Sequence, residues 1–135
     1  MGPKTNLVAY GIVGWAVCGG AIAIGRTYLS MSDTLLAHAI IAPMTFALLS
    51  WHYSLRFPQA SPLYTASGML SVVIGLDALV VAPFFERDYA MFRSMVGTWL
   101  PFASILAASY FVGRAVGQRH GRPIASLQPR KPPQR

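Results

Sequence analysis

Two ionisable residues, Asp77 and His38, lie inside long apolar stretches of the sequence. An aspartate inside a membrane costs several kcal/mol unless it is neutralised or paired, so Asp77 indicates a functional site or a buried partner. Asp77 lies near the middle of its apolar run, and His38 lies about five residues inside the end of another. With a helical rise of ~1.5 Å per residue, the two would differ in depth by only about 6 Å. We therefore expect Asp77 and His38 to be coupled as a side-chain pair.

Such a pair has more than one interpretation. In the first, it is a hydrogen bond that satisfies two buried polar groups. In the second, it is a protonatable site on a proton or cation pathway, since carboxylates and histidines inside membranes mark such pathways. An enzyme acting on lipid, with His38 and Asp77 as acid and base, is a third hypothesis. The first is favoured because the apolar runs contain few further polar residues that could relay a proton.

Other catalytic and metal-binding patterns do not occur in the sequence. It has no paired-cysteine motif, no two histidines one helical turn apart and no glycine-rich phosphate loop. His38 and His52 are fourteen residues apart and would share one helix face. A tetrapyrrole ligated by His38 or His52 is expected only if a partner supplies the rest of its site. We otherwise expect no catalytic residue, metal site or cofactor.

The composition places these residues in a membrane protein. Hydrophobic residues make up 54% of the 135 residues and charged residues only 11%, about half the charge of an ordinary soluble domain. Four apolar runs are each close to the ~20 residues that cross a bilayer. They are residues 7–25, 34–53, 66–85 and 94–113. Because the connections are short, we predict an all-α, up-down-up-down bundle of four transmembrane helices over residues 1–113.

Small residues predict which helix faces pack together, because helices in lipid associate where their backbones approach closely. Two stripes have the required spacing: Gly11, Gly14, Cys18, Ala21 and Gly25 on the first helix, and Ser71, Gly75, Ala78 and Ala82 on the third. Asp77 lies about 200° around the helix from Gly75. The third helix should therefore need protein neighbours on two faces, one inside the bundle and one on a second chain.

The basic residues predict orientation and a function for the tail. The net charge is +7, and eight of the 11 Lys and Arg fall on the side of the two termini. Both termini should therefore be cytoplasmic. Residues 114–135 form a basic, proline-rich tail that should contact anionic lipid or a partner rather than nucleic acid. Its expected contact residues are Arg114, Arg119, Arg122, Arg130, Lys131 and Arg135.

These patterns favour an integral protein of a bacterial inner membrane that acts as a non-catalytic subunit or assembly factor of a larger membrane complex. The two faces required around Asp77 are the main reason. The alternative is a homo-oligomeric transporter or channel for protons or cations that uses Asp77 and His38. A homo-oligomer would be needed because four helices alone leave little room for an aqueous path.

Overall fold

The computed structural model describes residues 2–120, and this part of the chain is helical, without strands. Its helices are α1 (Pro3–Tyr28), α2 (Met31–Arg56), α3 (Pro62–Leu76) and α4 (Leu100–His120). With the segments that continue α3 and precede α4, all four are long enough and apolar enough to cross a membrane. The prediction of four long apolar helices is confirmed for these residues.

The helices extend beyond the predicted apolar runs. Pro3 and Pro62 begin α1 and α3, where the missing proline N–H would have no helical partner. Ser30 caps α2, because its hydroxyl oxygen accepts a hydrogen bond of 3.1 Å from the backbone N–H of Asp33. The predicted spans counted only apolar residues, whereas a helix continues through polar residues while its backbone bonds are made. For that reason α4 runs to His120, and the start of the expected tail is helical.

Two segments wind more widely than an α-helix. They are Asp77–Glu86, which continues α3, and Met95–Trp99, which leads into α4. Pro83 lies in the first, and proline disfavours α-helical winding because its ring clashes with the carbonyl four residues earlier. Arg87 ends this segment in the left-handed region, with φ 54°, and a 3₁₀ turn (Ala90–Arg93) follows. Wide helical turns of this kind are rare and occur frequently at functional sites.

Each helix packs mainly against two others. Both α1 and α4 contact α2 and α3, whereas α2 and α3 touch each other little although they are consecutive in the chain. The helices therefore follow the order α1, α2, α4, α3 around the bundle. All four contribute to the core, whose buried residues are Leu7, Cys18, Ala42, Phe46, Tyr53, Met69, Val73, Phe102 and Ile105.

One half of the bundle, which we call the packed half, holds the start of α1, the end of α2, the start of α3 and the end of α4. Two hydrogen bonds join three of these segments, those of α1, α2 and α4. The buried Tyr53 hydroxyl donates to the Pro3 carbonyl at 3.0 Å, and the buried Ser50 hydroxyl donates to the Ser109 carbonyl at 3.0 Å.

Glycines let the backbones of the packed half approach closely. Gly14 lies against the ring of Phe46, and Gly11 lies against Val72, whose Cβ would be 2.8 Å from a Cβ at residue 11. Side chains at these glycines would overlap their neighbours. Close approach, rather than backbone conformation, is therefore what requires glycine here.

The two small-residue stripes have different surroundings. The stripe of α1 is buried at Gly11, Gly14, Cys18 and Gly25 and half-buried at Ala21. On α3, Ser71 is exposed, and nothing lies within 4 Å of a Cβ built on Gly75. The start of this stripe therefore makes little contact within the described part of the chain, whereas its last residue, Ala82, is fully buried. The residues that α3 itself turns inward are Thr65, Ala66, Met69 and Val73.

Candidate ligand cavity

A cavity of about 620 Å³ lies in the other half of the bundle, which we call the cavity half. Its walls come from the end of α1, the start of α2, the wide segment of α3 and the first turns of α4. Asp77 and His38 both line it. The structure therefore brings the two residues that the sequence singled out to one site. Most of the remaining wall is apolar, and includes Val73, Val81, Phe102 and Ile105.

Asp77 follows Val73 by one helical turn, so it shares the inward face of α3 and reaches the floor of the cavity. Its Oδ1 accepts a hydrogen bond of 2.9 Å from the indole Nε1–H of Trp15 on α1. Sequence reasoning missed this partner. The available signal was that an indole N–H in the middle of an apolar run needs an acceptor.

His38 is on the α2 wall of the cavity and is 8% exposed. Its Nδ1 atom is buried and has no hydrogen-bond partner within residues 2–120. No hydrogen bond joins it to Asp77 in that part of the chain, where the Asp77 carboxylate accepts from Trp15. Asp77 and His38 therefore face one cavity without the direct hydrogen bond expected from the sequence.

An ion pair lies at the end of the cavity where α1 and the wide segment of α3 finish. Arg26 Nη2 and Glu86 Oε1 are 2.8 Å apart, and both side chains line the cavity. They are partly exposed, at 43% and 33%. A pair of this kind contributes at most about 1 kcal/mol. It links the two helix ends and neutralises both charges without holding the helices firmly.

One wall of the cavity is open to the surroundings of the bundle. Ala16, Gly19 and Ala23 line the cavity on α1 and are themselves exposed. A Cβ built on Gly19 would meet nothing within 4 Å. These residues lie within α1 rather than at its ends, so the exposed edge of the cavity runs along the side of the bundle.

His52 lies away from the cavity, in the packed half. Its ring is exposed and stacks on Tyr10 with centroids 5.7 Å apart, and its Nδ1 is hydrogen-bonded to the Tyr10 hydroxyl. His38 and His52 therefore have different surroundings although they share a helix. The tetrapyrrole hypothesis stays a prediction. Among residues 2–120, no group of three or more His, Cys, Asp or Glu is placed to hold a metal ion.

The predicted basic contact residues fall in two groups. Arg114 and Arg119 are exposed on the last turns of α4, and Arg114 Nη1 donates to the Tyr110 hydroxyl at 3.3 Å. The remaining four lie outside the described residues; they are Arg122, Arg130, Lys131 and Arg135.

Comparisons of the chain with protein-family models, with curated proteins and with solved structures find no match.

Proposed function

We propose that this membrane protein binds a proton or a cation in its intrabundle cavity, with Asp77 as the counter-charge, and that it transports the bound species as a homo-oligomer. The observation that carries the proposal is that Asp77 and His38 line the same cavity of about 620 Å³.

The chemistry follows from what surrounds the carboxylate. Trp15 gives Asp77 one neutral hydrogen bond, which offsets only part of the cost of a charge in an apolar setting. A proton or a bound cation removes that cost. His38 adds a second polar group on the cavity wall, and its unpartnered Nδ1 can donate or accept according to its tautomer.

A second candidate function is that of a non-catalytic subunit or assembly factor of a larger membrane complex. The small residues Ser71 and Gly75 of α3 favour it, because Ser71 is exposed and the space beside Gly75 is empty, so another transmembrane helix could approach closely there. The same residues would also allow close contact between two copies of this chain in a homo-oligomer. Native mass spectrometry in mild detergent separates the candidates, since a transporter should form a homo-oligomer, whereas a subunit should carry different partner chains. A stable 14.6 kDa monomer would contradict both.

We further propose an up-down-up-down arrangement in a bacterial inner membrane, with both termini cytoplasmic. The short connections support antiparallel neighbours, and the excess of Lys and Arg on the side of the termini supports the orientation. The basic residues after α4 would then contact anionic lipid of the cytoplasmic leaflet.

Flux measurements in reconstituted vesicles test the transport proposal. We expect movement of protons or cations that is lost in Asp77→Asn. Asp88→Asn is the matched control, because Asp88 undergoes the same chemical change in an exposed loop outside the cavity wall. Flux that persists in Asp77→Asn, or vesicles that move no proton or cation, would contradict the proposal.

A further inference from the structure

We propose that the ligand of this cavity is a lipophilic organic cation, such as an ammonium or phosphonium with an apolar body, that reaches Asp77 sideways from the bilayer. This inference rests on the proposed function and names its substrate class.

The ionisable groups around the cavity favour a cation over an anion. The ionisable residues of its wall are Cys18 and Arg26 on α1, His38 on α2, and Asp77 and Glu86 on the wide segment that continues α3. The α4 wall contributes no ionisable residue. Arg26 and Glu86 neutralise each other in their ion pair. No basic side chain of residues 2–120 forms an ion pair with Asp77. The ionised cavity therefore carries an uncompensated negative charge at its floor, which a monovalent cation would balance.

The wall chemistry favours an organic cation over a metal ion. Hard metal cations are held by about six or more oxygen ligands, and only one carboxylate, that of Asp77, lies at the floor. The walls instead present aromatic rings from Trp15, Phe85 and Phe102. Aromatic faces attract organic cations, and apolar walls bind an apolar body. The 620 Å³ volume falls in the range of about 300–1,000 Å³ that holds drug-sized molecules.

The open side wall supplies a route that suits a lipophilic ligand. Glycines on transmembrane helices usually permit a tight helix contact, yet the space beside Gly19 is empty. Ala16 and Ala23 continue the same small, exposed strip along the cavity. A molecule dissolved in the bilayer would meet this opening directly. A hydrophilic ion would instead have to pass the Arg26–Glu86 pair at the end of the cavity.

Equilibrium binding to the full-length protein in mild detergent tests the proposal with three probes. Tetraphenylphosphonium has the proposed charge and apolar body, tetraphenylborate has the same shape with the opposite charge, and tetramethylammonium has the charge with a small body. We expect saturable binding of tetraphenylphosphonium at least ten-fold tighter than that of tetramethylammonium. We expect no saturable binding of tetraphenylborate. Equal binding of the two tetraphenyl ions, or none of the phosphonium, would overturn the proposal.

Two variants locate the binding site. Asp77→Asn should weaken tetraphenylphosphonium binding at least ten-fold, whereas Asp88→Asn should leave it unchanged. Gly19→Leu should narrow the side opening and reduce binding without lowering the melting temperature, because a Cβ at residue 19 meets nothing within 4 Å. If Asp77→Asn fails to fold, Gly19→Leu still tests whether the ligand binds in the cavity. Unchanged binding in Gly19→Leu would overturn the sideways route.

The flux assay separates failure of this inference from failure of the proposed function. If tetraphenylphosphonium does not bind but vesicles still show a flux of protons or inorganic cations that depends on Asp77, the substrate class is wrong and the transport function stands. If both measurements are negative, both proposals fail.

Discussion

Gly11 and Gly14 of the packed half and Gly19 of the cavity half have opposite surroundings. Close contact is not confined to the packed half, since Gly25 lies against Thr34. In the packed half, Gly11 and Gly14 lie against Val72 and Phe46, so the absent side chains allow close packing. In the cavity half, Gly19 borders open space, so the absent side chain leaves room for something else. The backbone also differs between the halves, because both widely wound segments, Asp77–Glu86 and Met95–Trp99, border the cavity. A glycine-rich transmembrane helix therefore indicates either a contact or an opening, and its neighbours decide which.

The largest expected effect comes from two phenylalanines, one from each half. Phe46 is fully buried, whereas Phe85 lies at the cavity rim and is 73% exposed. Phe46→Ala should destabilise the fold by about 3–5 kcal/mol, because it removes a ring from a closed core. Phe85→Ala should change stability by less than about 0.5 kcal/mol. Reversible unfolding in mixed micelles measures both. Similar losses would mean that the two halves are packed alike.

The glycines provide the next comparison. Gly14→Ala should destabilise the fold by about 1–3 kcal/mol, since the new methyl group overlaps the Phe46 ring. Gly19→Ala should stabilise it by up to about 1 kcal/mol, because alanine is the better helix former and meets no neighbour. The measurement is the melting temperature of each variant in the same detergent. A loss of stability in Gly19→Ala would show that α1 is covered at this position.

A double-mutant cycle sharpens the account of Asp77. Trp15→Phe removes the indole donor and Asp77→Ala removes its acceptor, so the two substitutions should be coupled by about 0.5–3 kcal/mol of unfolding free energy. The corresponding cycle with His38→Ala should be additive within about 0.5 kcal/mol, because no hydrogen bond joins His38 to Asp77 in the described residues. The reverse result would restore the pair expected from the sequence.

The smallest expected effect belongs to the Arg26–Glu86 pair. Because both side chains are partly exposed, Arg26→Gln should cost at most about 1 kcal/mol, and high salt should reduce the difference from the unaltered protein. Unfolding at low and high ionic strength measures this. A loss that is larger and independent of salt would show that the cavity half depends on this pair for its packing.

The sequence predicted the helices better than the site. Four apolar runs near the length of a bilayer crossing were sufficient to predict four membrane helices, because backbone groups in lipid must be paired internally. Asp77 and His38 were found for a similar reason, since polar groups are costly there. The sequence did not predict that Asp77 is hydrogen-bonded to Trp15 rather than to His38. The partner of Asp77 depends on which face α1 presents to α3, and that face is set by packing between helices remote in sequence.

The sequence pattern also did not predict the cavity. Small residues at helical spacing predict a contact at every position of a stripe, including Ser71 and Gly75, whereas Ser71 is exposed and a Cβ on Gly75 would meet nothing within 4 Å in the described residues. The wide winding of Asp77–Glu86 has a local signal in Pro83. Proline predicts a departure from α-helical geometry but not its kind.

The central claim is that Asp77 lies at the floor of a cavity open to the bilayer and binds a lipophilic cation. The most direct measurement is the modification of Asp77 by the hydrophobic reagent dicyclohexylcarbodiimide, located by mass spectrometry of the intact protein and its peptides. We predict modification of Asp77 that tetraphenylphosphonium suppresses and tetraphenylborate does not. Absence of modification at Asp77, or modification that tetraphenylphosphonium leaves unchanged, would contradict the account.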